Sequence, residues 1–555
     1  MDSINIVSAI FNYAKTNPDS LAIAVPRKPN KRIPEDGEIQ YRCVSYEELA
    51  SKIENLSRGF MSFGFKKGDR VVMMLPPNID FFAVAFALMR CGLVPVLMDP
   101  GIGIRHLKNS IKESQPIGFI GIYKAHLARI IFGWGKKYIK KQIVIGPKLI
   151  FGKRSYSAVK QMGKSLSEHE DFMMGNYPIS TDDIAAILFT SGSTGEPKGV
   201  VYTHGNFMHQ IKNIQKTFGM MEGEIDLSTF PPFALFNPTV GLSTVVPDMD
   251  PTKPANVNPE KIIAALKQFG ITTMFGSPAL LDRVGRYIQN RDIKIPTLQR
   301  VISAGAPVPA KTMVRFSKLL MEGVQIFTPY GATEAMPITS ISSDVLLSPD
   351  IKNRSVRGGG VCIGKPVEGI ILKIIKISDE PFEFWSDDLE LTDGEIGEIT
   401  VKGESVTKAY FNKEKSTKLA KIKDQDGFYH RMGDLAYIDG SGLLWFCGRK
   451  SQRVKIKDGV LFTIPCETIF NQHPQVHLTA LVEVNNKAVL CVELDKEVRN
   501  PDEAKIKEEL SEYAKNQKLE IKTFLFHPSF PVDARHNAKI RREKLALWAS
   551  SKLQF

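Results

Sequence analysis

A chain of 555 residues with 73 Lys and Arg against 60 Asp and Glu carries a net charge of +13, and its length exceeds what one ordinary core fills, so two or more domains are expected. With 43% hydrophobic and 24% charged residues it has the composition of an ordinary globular protein, which argues against disorder over most of its length. Its six cysteines, Cys43, Cys91, Cys362, Cys447, Cys466 and Cys491, lie far apart with no Cys-x-x-Cys pair, which argues against a disulfide framework or a zinc site and for a reducing, cytoplasmic setting.

Taken in chain order, Ile6, Ile10, Phe11 and Ala14 pattern an amphipathic helix that ends by Pro18, without the basic flank and apolar run of a signal peptide. Turns rich in Pro and Lys follow, then a second helix over 46–63, a buried strand over 71–75, a helix over 79–91 and a strand from Leu93 closed by the turn at Asp99-Pro100-Gly101. Strands alternating with helices imply a parallel sheet, so the fold class is α/β. The most apolar runs, such as 81–89, are interrupted before they could span a bilayer.

Between Arg105 and Lys164 stand fourteen Lys or Arg and one acid, Glu113, interleaved with Phe132, Trp134, Tyr138, Ile143, Ile145, Leu149, Ile150 and Phe151. Such a segment suits an anionic membrane surface, or a fatty or phosphorylated ligand. The alternative is a solvated face over a buried helix and strand. Nucleic acid is not expected, because there is no zinc-finger spacing, no RNA-binding aromatic motif and no long basic tract.

The stretch Thr190-Ser191-Gly192-Ser193-Thr194-Gly195-Glu196-Pro197-Lys198-Gly199 separates two strand-like runs, 184–189 and the one opening at Val200-Val201. Hydroxyls, glycine amides and one lysine within ten positions suit a polyphosphate, since glycine lets the backbone approach phosphate oxygens and Lys198 supplies a cation. It is not the common P-loop, because Gly199 follows Lys198 where Ser or Thr would stand. A polar surface turn is the alternative for such a loop taken alone. Further on, Gly276-Ser277-Pro278 signals a helix start, with Ser277 as N-cap and Pro278 in the first helical position. From about Cys362 the texture changes to short strands and glycine turns, which suggests a small β-rich subdomain over 362–447. A second boundary falls near Gly448-Arg449-Lys450-Ser451, after a strand over 443–447, and the remaining hundred or so residues suffice for a small domain.

The loop resembles the phosphate loop of the acyl-adenylate-forming superfamily, which includes acyl-CoA synthetases, luciferases and the adenylation domains of peptide synthetases. The rest of the chain supplies that superfamily's further motifs in order. Ser303-Ala304-Gly305-Ala306-Pro307 matches a bend that lies along adenine in relatives. Tyr330-Gly331-Ala332-Thr333-Glu334 matches a motif that stacks the tyrosine on adenine, donates the threonine hydroxyl to the α-phosphate and holds Mg²⁺ with the glutamate, an oxygen ligand suited to that ion. His430-Arg431-Met432-Gly433-Asp434 resembles a Tyr-Arg-Thr-Gly-Asp motif whose aspartate accepts from the ribose hydroxyls, and Arg449 stands where relatives contact ribose or phosphate. Ser451 occupies the hinge position that is usually Asp or Lys. Pro531-Val532-Asp533-Ala534-Arg535-His536-Asn537-Ala538-Lys539-Ile540-Arg541-Arg542 resembles the motif bearing the adenylating lysine, which maps to Lys539; Asn537-Ala538 replaces the common Ser-Gly.

The resemblance implies ATP and Mg²⁺ as cofactors and a large multi-sheet N-terminal adenylation domain (1–447), a hinge at 448–452 and a small mobile α+β C-terminal lid (453–555). Phe230, Phe233 and Phe236, in an uncharged stretch that runs to Gly241, fall where relatives begin the acyl pocket, and Gly276 is assigned to the same wall. Three phenylalanines without an acid suit a long aliphatic chain. The loop at 455–462 departs from the glycine-rich run that thiol-transferring ligases use, and Thr463-Ile464-Pro465 follows it, which puts CoA use in doubt. Phe-Ala-Leu-Phe-Asn-Pro (233–238), Gly-Arg-Lys-Ser-Gln-Arg-Val (448–454) and Val-Asp-Ala-Arg-His-Asn-Ala-Lys (532–539) resemble the β-lactone synthetases of bacterial olefin biosynthesis. That resemblance implies adenylation of a 2-alkyl-3-hydroxy fatty acid, lactone closure by its own hydroxyl, and olefin-pathway enzymes as partners. A fatty acyl-CoA or acyl-carrier ligase is the sibling reading, and a catalytically silent nucleotide- or lipid-binding protein the reading from another class.

Overall fold

The computed structural model describes residues 5–27, 38–98, 100–146, 154–166, 179–190, 196–230, 234–457, 459–495, 498–532 and 540–553. Ser191, Gly192, Ser193, Thr194 and Gly195 of the phosphate loop, Phe233 of the acyl wall and Lys539 lie outside the described residues.

Two sheets organise the larger N-terminal part. The first has seven strands in the order Arg154–Ser155, Lys141–Ile145, Gly118–Ile122, Arg70–Met74, Val94–Met98, Ile184–Thr190 and Lys198–Thr203. All pairs are parallel except the last, where Ile184–Thr190 and Lys198–Thr203 form an antiparallel hairpin whose closing pair is Thr190 opposite Lys198. The stretch expected to hold phosphate therefore connects the two strands of this hairpin in the sequence. Strands such as Arg70–Met74 read as continuous apolar runs because helices cover both faces of a parallel sheet.

The second sheet has 14 strands. Its parallel part places Leu21–Pro26, Ser243–Val245, Ile225–Ser228, Thr273–Phe275, Arg300–Ile302 and Gln325–Ala332 side by side. From there antiparallel strands continue it through Ala335–Ser342, Val361–Pro366, Leu444–Arg449, Gly427–Ile438, Gly397–Lys402 and Ile371–Ile375. The β-rich stretch expected after Cys362 thus extends the large sheet, joined through Thr339 and Ser340 opposite Pro366 and Lys365.

The helix Ile79–Arg90 buries every residue from Phe81 to Met89 and shares a core with Val71 and Ala185 of the first sheet and Ile23 and Val25 of the second. A helix apolar all round belongs between layers, and Asn78 starts it by accepting from the Phe81 amide. The helix Tyr46–Ser62 begins with a reciprocal capping box between Ser45 and Glu48. Ser277 caps the helix Pro278–Ile288 as its position before proline predicts.

The smaller C-terminal part holds an antiparallel pair, Val476–Val484 with Lys487–Leu494, and a third strand, Thr523–Phe526, added in parallel. Alternate residues point to opposite faces. Leu481, Leu490 and Val492 pack with the helices Thr463–Phe470 and Glu503–Asn516, whereas Ala480, Val482 and Cys491 pack under the helix Arg542–Lys552. One expected boundary moves. The strand expected over 443–447 runs Leu444–Arg449, because Gly448 and Arg449 stay paired with Leu435 and Asp434, and the short 3₁₀ turn Lys450–Gln452 links the two parts. Among the described residues no helix is long and apolar enough to cross a membrane.

Candidate active site

Four of the expected motifs follow the carboxyl ends of neighbouring parallel strands. Phe230 comes after Ile225–Ser228, Gly276 after Thr273–Phe275 and the 303–307 bend after Arg300–Ile302, while Tyr330 lies within the carboxyl end of strand Gln325–Ala332. The strands lie in that order across the sheet, so residues separated by a hundred positions share one rim, where α/β sheets bind ligands. Gly305 has φ 96°, a conformation few side chains adopt, and with Pro307 it is solvent-exposed. At Gly331 a Cβ would come within 2.7 Å of the Ala335 carbonyl, so only glycine lets the strand close this tightly on its partner.

Tyr330, Asp434 and Arg449 converge. Asp434 and Arg449 are direct cross-strand partners. The Tyr330 hydroxyl donates to Asp434 Oδ2 at 2.6 Å, and Arg449 Nε lies 3.2 Å from Oδ1. Burial, then the Asp434 charge, push the Tyr330 hydroxyl well above its ordinary pKa, while Asp434 raises that of Arg449 against burial. The tyrosine is therefore a neutral donor and the guanidinium a fixed cation at working pH.

Thr333 and Glu334 form the turn between Gln325–Ala332 and Ala335–Ser342 and are held from three directions. The Tyr202 hydroxyl donates to the Thr333 carbonyl. Thr407 donates to the Glu334 carbonyl through its amide at 2.9 Å and its hydroxyl at 3.1 Å. The Tyr410 hydroxyl donates to Glu334 Oε1 at 2.6 Å. Burial, then the Glu334 charge, raise the Tyr410 pKa, so this hydroxyl also remains protonated. Glu334 is half-buried and makes no ion pair among the described residues, and no cluster of three metal-ligating side chains occurs among them. A single oriented carboxylate of this kind fits Mg²⁺, which takes one or two protein carboxylates and completes its shell from phosphates and water.

Residues 406–411 cross from one sheet to the other. Tyr410 pairs with Val200, the Phe411 amide donates to the Gly199 carbonyl at 2.7 Å, and Lys198 Nζ sits 5.0 Å from the Tyr410 ring centroid. One segment thereby sets Lys198 over the ring, and the carboxylate of Glu334 on the hydroxyl, of the same tyrosine. Below it, the half-buried Lys421 donates to the Thr407 carbonyl. Burial lowers its pKa to about 7, opposed by Glu334. His430, opposite Lys421 across the strands, is buried and held well below its ordinary pKa by burial and then by the Lys421 charge, so it is neutral.

The residues expected in an acyl wall take different places. Phe236 packs on Phe207 at 4.4 Å between ring centroids, and Phe207 stacks on Tyr202 at 4.4 Å, so an aromatic column runs from Phe236 to the hydroxyl that holds Thr333. Phe230 faces Phe275 at 6.4 Å, beside buried Gly276. Behind this wall Asn237 Nδ2 donates to the buried Asp226 at 2.8 Å. Ser451 is exposed, flanked by Lys450 on Glu398 at 3.0 Å and Arg453 on Asp379 at 2.5 Å. On either side of the stretch that holds Lys539 in the sequence, Val532 pairs with Ile540, and Arg542 pairs with buried Glu467 at 2.5 Å.

Sequence reading missed Tyr202, Thr407, Tyr410, Lys421 and Asp226. Tyr410 stands 76 positions from Glu334, and only the sheet topology brings them together. A buried Asp four residues before the phenylalanine stretch was the one local signal for Asp226.

The sequence profile described as AMP-binding enzyme matches residues 20–411. The olefin beta-lactone synthetase of Stenotrophomonas maltophilia (strain K279a) is 42% identical over 564 residues, covering 99% of each chain. The protein of the same name from Xanthomonas campestris pv. campestris is 42% identical over 559 residues, covering 98% of this chain and 97% of the relative. ATP-bound MatB from Rhodopseudomonas palustris superposes with a TM-score of 0.77 at 20% identity, over 99% of each chain, a likeness of fold. The motifs in order, their convergence on one sheet rim and these matches make the chain a member of the AMP-binding enzyme family, an adenylating acid ligase allied with the olefin β-lactone synthetases.

Proposed function

We propose that the protein adenylates a long-chain 2-alkyl-3-hydroxy acid and then closes it to a β-lactone without a thiol acceptor. In the first step a carboxylate oxygen attacks the α-phosphorus of ATP, the bond to the β-phosphate breaks and pyrophosphate leaves. Lys198 and the loop hydroxyls hold the β- and γ-phosphates, Thr333 and Lys539 the α-phosphate and carboxylate, and Asp434 and Arg449 the ribose. A cation near two approaching anions lowers that barrier by stabilising charge in the transition state. Mg²⁺ bound at Glu334 would neutralise charge on the departing pyrophosphate.

In the second step the substrate's own 3-hydroxyl oxygen attacks the acyl carbon and loses its proton to solvent. The bond to AMP breaks, AMP leaves and a four-membered ring remains. Proximity favours this intramolecular attack and ring strain opposes it. The observation that carries the reading is full-length similarity at 42% identity to two olefin beta-lactone synthetases. The loop past the linker supports it. Val454–Ile456 pairs antiparallel with Gly459–Leu461, and the buried Thr463 starts a helix directly after them, where thiol-transferring ligases are expected to carry a glycine-rich run. Phe230 and Phe236 suit burial of an alkyl chain at roughly 0.8 kcal/mol per CH₂. Rotation of the C-terminal part about Ser451 between the steps, and handover to other enzymes of an olefin pathway in the cytoplasm, belong to the same proposal. Product analysis without CoA tests it: lactone and AMP support it, and an acyl product that requires a thiol contradicts it.

A further inference from the structure

The helix Tyr123–Ile131 is laid against the first sheet with its polarity reversed. Its inner side carries His126, fully buried with Nε2 at 3.0 Å from the Ile143 carbonyl, and Arg129, buried with Nη2 donating to Gln142 at 2.7 Å and its guanidinium 5.7 Å from the Phe119 ring. Its outer side carries Leu127, Ile130 and Ile131, exposed by 38%, 44% and 66%, and Phe132 follows at 37%. Positions 127, 130 and 131 fall on one helical face. A merely solvated helix would turn the arginine and histidine outward and the isoleucines inward. Here the fold buries the cation and leaves the aliphatic side chains outside.

The charge that flanks the apolar face is mostly basic. Lys124, Lys136, Lys137 and Lys140 are exposed around it. The helix Ile104–Ser114 shares a core with the turn that follows, through Leu107, Ile111, Trp134 and Ile139, and it adds exposed Arg105, Lys108 and Lys112 together with Ile104, exposed by 52%. Of the acids beside this helix, Glu113 is engaged by Lys413 at 3.3 Å with its carboxylate mostly covered, and exposed Glu196 lies 3.8 Å from the same lysine.

We propose that this face docks on an anionic lipid surface, with Leu127, Ile130, Ile131 and Phe132 entering the boundary between headgroups and acyl chains and the surrounding lysines meeting lipid phosphates. Apolar residues flanked by mostly basic charge match a bilayer that is apolar inside and anionic at its surface. A second copy of the chain would set like charges against like charges. Nucleic acid offers nothing to the isoleucines. The inference goes beyond the proposed reaction and does not depend on it, although it would hold the enzyme where a long-chain acid partitions.

The test is co-sedimentation of the full chain with vesicles of phosphatidylcholine alone and with vesicles in which part of it is replaced by phosphatidylglycerol. Wild type is expected to pellet with the anionic vesicles only and to be released by salt. Ile130→Asp/Ile131→Asp and, separately, Lys136→Glu/Lys137→Glu should each weaken binding by about tenfold or more, with melting temperature and pyrophosphate release unchanged. Ile131→Asp alone, at the most exposed position, serves if the double variant does not fold. Wild type that ignores anionic vesicles, or variants that bind them as well as wild type, would overturn the proposal. So would a wild-type dimer that Ile131→Asp dissociates in the absence of vesicle binding, which would make a second copy the occupant.

Discussion

Replacing Tyr410 with Phe removes one oxygen atom and should lower the efficiency of adenylation without unfolding the protein. The ring is 8% exposed, packed in the main core and set beneath Lys198, and all of that survives the change. What is lost is the 2.6 Å hydrogen bond to Glu334 Oε1. A hydrogen bond to a charged group contributes about 1.5–3 kcal/mol. Glu334 is half-buried and water can replace part of the bond, so the low end applies, about 1.5 kcal/mol or roughly tenfold in rate. The assay is pyrophosphate release with a long-chain 3-hydroxy acid, followed as a function of Mg²⁺ concentration. A carboxylate that is merely misoriented should show an increased Mg²⁺ requirement and partial recovery at high Mg²⁺. Melting temperature separates this from a packing defect. Wild-type activity with a wild-type Mg²⁺ profile would show that Tyr410 only fills space, and a rate loss matched by a large drop in melting temperature would assign its effect to the core.

Glu398, 1% exposed in its side chain, accepts from Arg431 at 2.6 Å and Lys450 at 3.0 Å; Glu398→Gln leaves two cations without a counter-charge and should cost about 3–5 kcal/mol. A urea-unfolding midpoint equal to wild type would refute that. Asp226 has its carboxyl pushed up to about 7 by burial, opposed by the Asn237 hydrogen bond and helped by Glu224. The native state keeps a proton that the unfolded chain, with an ordinary Asp pKa near ~3.9, releases, so stability falls as pH rises from about 4 to about 7 and levels off above. Asp226→Asn should therefore match wild type near pH ~4 and gain by up to about 4 kcal/mol near pH ~8; a difference from wild type that does not change with pH in urea unfolding would contradict it.

Much of the candidate site could be proposed from the sequence because its motifs are local. A phosphate loop, a Tyr-Gly-Ala-Thr-Glu turn and a Gly-Asp bend each announce themselves within a few residues, and the alternation of strands and helices places them at strand ends. What stayed hidden is the support behind them. Tyr202, Thr407 and Tyr410 hold Thr333 and Glu334 across two sheets, and no periodicity in the sequence encodes which sheet meets which. The strand expected to end at Cys447 runs on to Arg449, because Gly448 stays paired with Leu435 at φ 123°, a pairing that only the partner strand reveals. Arg431, met in the sequence as part of a ribose motif, holds Glu398 together with the carbonyls of Ser378 and Glu380, so in this structure it braces the strand that presents Asp434. The basic segment resolved into something its composition alone left open: Arg129 turned inward and Ile131 turned outward.

The measurement that bears most directly on the central claim is mass-spectrometric product analysis after incubating the purified protein with ATP, Mg²⁺ and a long-chain 2-alkyl-3-hydroxy acid, with and without CoA. The account predicts a β-lactone, AMP and pyrophosphate in equal amounts without CoA, and no change in product when CoA is added. An acyl-CoA that forms only when CoA is supplied, with no lactone in its absence, would contradict it and make the pairing of Val454–Ile456 with Gly459–Leu461 an unusual feature of an ordinary thiol-transferring ligase.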